Sequence, residues 1–152
     1  MKRTPDEQKI HGNFLPGAVT RDGFLGSDSR HIHDIVLEDS RTMERLGLSA
    51  GEIADRLQFF LDEGKKGLEA PVVSGAFTVH VEWHKGSLPC PFGETGLHPK
   101  IMARLCSNQT GRCIRFSQMN IHLIRRHGFF EGIGSPLRLD PEELAAFLEL
   151  RK

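Results

Sequence analysis

The chain has 152 residues, with 20 basic side chains balanced by 20 acidic ones. That length suits one domain able to bury a core without staples. The zero net charge disfavours a broad electrostatic surface for nucleic acid or an anionic membrane. No apolar run approaches a membrane span, and the opening MKRTPDEQKIHGNF is charged where a signal peptide needs its apolar stretch. The expected setting is therefore cytoplasmic. Three cysteines, Cys90, Cys106 and Cys113, are too few and odd in number for a secreted disulfide framework.

Residues 1–27 are polar and glycine-rich, with apolar islands at Phe14, Leu15, Phe24 and Leu25. They are expected to form an N-terminal arm or long loop that packs through those islands, ahead of a single α+β domain over residues 28–152. A first helix is predicted over residues 29–46, stopped by Gly47. At 100° per residue, Ile32, Ile35, Val36, Met43 and Leu46 share one arc, and Asp39 falls in its middle. Ser49 and Glu52 have the spacing of a capping box for a second helix. Its stripe is Ile53, Ala54, Leu57, Phe60 and Leu61, and Gly64 is its expected end.

The period changes after Pro71. Phe77, Val79, Val81 and Trp83 alternate with Thr78, His80, Glu82 and His84, as in a strand with one buried face. Residues 85–99, KGSLPCPFGETGLHP, are dense in glycine and proline and are expected to be a loop. IMARLCS, NQTG and RCIRFS then suggest a hairpin. Keeping Ile101, Ala103 and Leu105 on one face with Ile114 and Phe116 pairs Ser107 with Arg112, Cys106 with Cys113 and Arg104 with Arg115. A helix over residues 118–127 follows, capped by Ser117 and stopped by Gly128. A last helix begins after Asp140, with Pro141 in its first turn and Leu144, Phe147 and Leu148 as its stripe. The expected fold is α+β: two N-terminal helices, a three-stranded antiparallel meander, and two C-terminal helices on one sheet face.

Four groups of residues are candidates for chemistry. Asn120 and His127 lie on the apolar arc of the third helix and Asp39 on that of the first, and buried polar groups need partners. Their convergence would let Asp39 orient His127 as a general base; a structural hydrogen-bond network would satisfy them equally. His122 falls on the opposite arc, so His122 and His127 are not expected to ligate one metal. The second group is the sheet's polar face, where His80, Glu82 and His84 alternate outward near Arg104 and Arg115. It suits an acidic ligand, or a zinc site joining a histidine such as His84 to Cys106 and Cys113, although no CxxC spacing is present. As an ordinary solvated face it would pair Glu82 with an arginine across strands.

Third, Cys90 sits between Pro89 and Pro91 in a rigid loop, where an accessible thiol could act as a nucleophile beside a base, or fill space as a small apolar residue. Fourth, GFFEGIGS places Glu131 at the rim of a glycine-rich turn that lacks the strand-to-helix context of a phosphate loop. No catalytic signature is complete. The leading expectation is an intracellular binding or regulatory module, recognising a small ligand or protein partner through the polar sheet face and the 85–99 loop. A homodimer formed over exposed sheet edges is compatible with it. One alternative is a small enzyme using His127, Asp39 and either Cys90 or Glu131. Another is a zinc protein, with zinc the only cofactor considered and none favoured.

Overall fold

The computed structural model describes residues 4–150. Residues 1–3 of the expected arm and residues 151–152 of the expected domain lie outside that range. Five helices flank one four-stranded antiparallel sheet: α1 (Pro5–Gly12), α2 (Ile32–Leu46), α3 (Ala50–Lys65), β1 (Val72–Ser74), β2 (Phe77–Pro89), β3 (Leu97–Ser107), β4 (Cys113–Ser117), α4 (Gln118–His127) and α5 (Pro141–Phe147). The strands follow chain order across the sheet.

The expected architecture needs three corrections. The N-terminal segment contains α1, which periodicity does not reveal because none of its residues is buried; its Thr4–Glu7 capping box and Pro5 form it locally. A short edge strand, β1, pairs Val72 with Val79 and Ser74 with Phe77, making the sheet four-stranded. Residues 85–99 are largely strand. The β2–β3 ladder continues past a register shift between His84 and Ser87 to Pro89↔Leu97. Glycines and prolines here mark a bulge and a tight tip, because an exposed two-stranded extension tolerates residues that a central strand does not.

The β3–β4 register is the one that the buried face demands. Leu105 pairs with Ile114, Ala103 with Phe116 and Cys106 with Cys113, and the Ser107 N–H donates to the Arg112 carbonyl across the turn at 2.8 Å. Phe77, Val79 and Val81 face the core, but Trp83 is 49% exposed, with the Lys65 ammonium at the end of α3 over its ring. Helix α3 reaches Lys65 rather than stopping at Gly64. Gly64 instead permits close packing, since a Cβ there would lie 2.4 Å from Val81 Cγ2.

Two apolar clusters result. One lies between the sheet and helices α3, α4 and α5. The other gathers the N-terminal segment, the start of α2 and one side of α4 around Phe14, whose ring makes edge contacts with Phe24, Phe92 and Phe129. No helix of the described residues is long and apolar enough to cross a membrane.

Candidate metal centre

The tip of the β2–β3 hairpin folds back onto the C-terminal half of α4. Cys90 follows Pro89 at the end of β2, and the Gly93 N–H donates to the Cys90 carbonyl at 2.9 Å, closing a tight turn with Gly93 at φ +90°. The Asn13 side-chain amide donates to the Pro91 carbonyl at 3.0 Å, tying this turn to the residue that caps α1. Phe92 stacks on His127 with ring centroids 4.0 Å apart, and His98, at the start of β3, packs on His122 at the same separation.

These contacts bring Cys90, His122 and His127 together, one donor atom from each lying within 4.8 Å of the others. The Cys90 sulfur is 3.6 Å from His127 Nε2. The Glu94 carboxylate is 3.1 Å from His127 Nε2 and 3.8 Å from His122 Nε2, and it also accepts from Arg126 at 3.3 Å. Around a tetrahedral zinc with bonds of roughly 2.0–2.3 Å, donors sit about 3.3–3.6 Å apart. The cluster therefore has the donor types and nearly the spacing of a closed site able to chelate a metal ion.

Two further features suit a cation. His122 Nε2 and His98 Nε2 are buried without a hydrogen-bond partner, an arrangement that costs free energy unless something satisfies them. Burial also holds the His122 and His127 imidazoles below their usual pKa. For His122 the neighbouring His98 adds to the shift, and for both rings Glu94 opposes it. A neutral ring offers its lone pair to a metal with little competition from protons.

The sequence reading separated His122 from His127 because five residues along a helix rotate the side chain by about 140°. The rings nonetheless meet edge to face at 5.6 Å. Helical side chains lean toward the N-terminus, which brings His127 back toward His122, and both rings flank the groove that the hairpin tip fills. Glu94 was missed because a loop assignment for 85–99 gave its side chain no direction, whereas His98, with His84, is a nearby base for Cys90 on sequence alone. The available signal was the spacing of Cys90, Glu94 and His98, four residues apart, ahead of His122 and His127 on one helix.

The other candidates divide. Cys90 and His127 meet, but Asp39 does not join them. Its carboxylate takes a two-pronged ion pair from Arg138, with contacts of 2.5 and 2.9 Å. Asn120 joins Glu131 instead: its side-chain amide donates to Glu131 Oε2 at 2.7 Å, while its carbonyl accepts from the Ser117 backbone in the α4 capping box. Ser135 Oγ donates to Glu131 Oε1 at 2.6 Å, and Arg138 donates to the Glu131 carbonyl at 2.7 Å. Glu131 is 3% exposed, and burial pushes its carboxyl up to about 7 against the pull of Ser135, Asn120 and Arg138.

On the outer sheet face His80, Glu82, Arg104 and Arg115 line a depression. There His80 Nε2 lies 2.6 Å from the Glu69 carbonyl, and Glu82 lies 3.6 Å from His84. Cys106 and Cys113 form a cross-strand disulfide. Cys106 faces Thr78, six residues along β2 from His84, or roughly 20 Å. His84, Cys106 and Cys113 therefore do not gather as donors. Comparison with family models, curated proteins and solved structures yields no match for this chain, so the function is argued from the site itself.

Proposed function

We propose that this is a zinc-binding protein in which Cys90, His122 and His127 hold the ion, with Glu94 as fourth ligand. Support comes chiefly from the convergence of one thiol and two imidazoles within 4.8 Å. Thiolate with imidazole suits zinc better than calcium or magnesium, which take oxygen donors. Four protein donors make the site structural: the ion fastens the hairpin tip, which supplies Cys90 and Glu94, to α4, which supplies both histidines. The hairpin also carries His80, Glu82 and Arg104 on its outer face, with Arg115 on the adjacent strand. Metal occupancy would thus set the rigidity of a binding surface, in keeping with a regulatory module.

Tag-free protein purified without chelators should contain close to one zinc per chain by elemental analysis, and native mass spectrometry should show the matching mass increment. Cys90→Ser and His127→Ala should each weaken zinc binding at least tenfold in a competition titration with a chromophoric chelator. Equal zinc content and affinity in wild type and in the His122→Ala/His127→Ala double variant would overturn the proposal.

A further inference from the structure

A second cavity, of about 350 Å3, lies where residues 20–24 and 135–137 face the β2–β3 hairpin and the start of α4. Its volume falls in the range of small-molecule sites, roughly 300–1,000 Å3. Phe24, Leu88, Met102, Met119 and Leu137 make its walls apolar. The buried Glu131 and Ser135 supply the polar part of its depth, and the exposed Arg21, Lys100 and His84 stand at its mouth with two acidic neighbours, Asp22 and, beside His84, Glu82. Glu131 also has an unusual backbone, with φ at +70°, a conformation that a non-glycine residue holds only where its surroundings impose it. A buried carboxyl in that backbone conformation, at the base of an apolar cleft with a cationic mouth, is expensive to build.

We infer that this cleft binds a small carboxylate with an apolar body, the body between Leu88, Met102 and Met119 and the carboxylate at Lys100 and Arg21. The cationic mouth excludes amines, and the walls give an uncharged polar molecule little to replace its water. Glu131 makes the binding depend on its own protonation. An apolar body seated over an ionised carboxylate would bury a charge, which is costly, whereas the neutral acid can be covered. The other groups facing Glu131 do not remove that cost. Arg138 is committed to Asp39, Asn120 and Ser135 already hydrogen-bond its oxygens, and Arg21, Lys100, His84 and Asp22 lie at the mouth. Ligand binding should therefore take up a proton near neutrality.

The test uses the full chain as purified, with sodium octanoate as probe and octylamine and octanol as matched controls, followed by calorimetry between pH 5.5 and 8.5. Octanoate is expected to bind at least tenfold tighter than either control, and Lys100→Glu with Arg21→Glu, both surface changes, should erase that preference. Affinity for octanoate should fall several-fold as pH rises past about 7, and Glu131→Gln should flatten this profile. Filling the cleft with Met102→Trp should abolish binding. Octanol binding as tightly as octanoate, or octanoate binding unchanged in the Lys100→Glu/Arg21→Glu protein, would overturn the assignment. A pH dependence that survives Glu131→Gln and disappears in His84→Asn would overturn the role given to Glu131.

Discussion

Arg138 holds two buried carboxyl-bearing residues at once, Asp39 through its carboxylate and Glu131 through its backbone carbonyl. Removing it would leave Asp39 charged and unpaired among apolar neighbours. Arg138→Met is therefore expected to destabilise the fold by about 3–5 kcal/mol, the usual cost of breaking a buried pair from one side, measurable by urea unfolding. Glu131 makes an opposite kind of prediction. Its folded-state pKa, about 7, lies above the ordinary value of 4.5. Its contribution to stability is thus fully present below pH 4.5 and is lost as pH rises through 7. The shift corresponds to about 3 kcal/mol. Glu131→Gln, which keeps the shape without the charge, should gain on the wild type by up to that amount between pH 5 and pH 8. A pH-independent difference between the two proteins would mean that Glu131 is not buried as described.

At the scale of elements, the β2–β3 hairpin joins the core sheet to the Cys90–His122–His127 cluster. Its inner part is held by Phe77, Val79, Val81 and Leu105, all buried; its tip is held by the turn at Cys90 and the donors described above. Chelation is therefore expected to speed amide exchange in residues 88–98 while leaving 77–83 and 101–107 protected, as a hydrogen-exchange time course would show. Helix α1 offers a separate case. It sits on the start of α2 through stacked His11 and His31 rings, 4.6 Å apart, and a 3.3 Å His33–Glu7 contact. Burial, followed by the charges of His31 and His33, lowers the His11 pKa, so its contribution is present above pH 6.5 and is lost as pH falls below that value. Exchange in residues 5–13 should accelerate on acidification ahead of the sheet, and His11→Phe should delay that onset.

Legibility in the sequence followed the physics of each element. Helices α2 to α5 and the β3–β4 register show in the pattern because a buried face leaves a period of 3.6 or 2 along the chain. Helix α1 has no fully buried residue and leaves no period, and β1 has only three residues. Asp39 and Asn120 stand out as polar residues on apolar arcs, but Arg138, the partner of Asp39, is 99 residues away, and Glu131, expected at the rim of a glycine-rich turn, is instead buried against Asn120 and Ser135. Cys90 and His127 were visible singly. Their meeting with His122 depends on how a glycine- and proline-rich tip bends, which composition does not encode and the four-residue spacing of Cys90, Glu94 and His98 only hints at.

For the whole molecule, closure depends on a clasp between residues 24–28 and 131–135. The Gly132 N–H donates to the Phe24 carbonyl at 2.8 Å and the Ser27 N–H to the Ile133 carbonyl at 3.2 Å. Asp28 accepts from the Ile133 N–H at 3.1 Å, and its carboxyl is held well below the usual range, first by Arg30 and then by that backbone bond. The two segments touch closely enough that a Cβ on Gly132 would lie 2.3 Å from the Leu25 carbonyl oxygen. Gly132→Ala should therefore cost about 3 kcal/mol through overpacking, and the loss should be accompanied by weaker octanoate binding, because residues 20–24 wall the cleft. The two halves of the clasp are also made at different times. Ser27 and Ile133 stand 106 residues apart, and a ribosome adding roughly 5–20 residues each second separates their emergence by about 5–20 s. Phe14 and Phe24 leave the exit tunnel long before Phe129 exists to cover them. For that interval the nascent chain displays an apolar N-terminal segment without its seat, a natural handle for a chaperone.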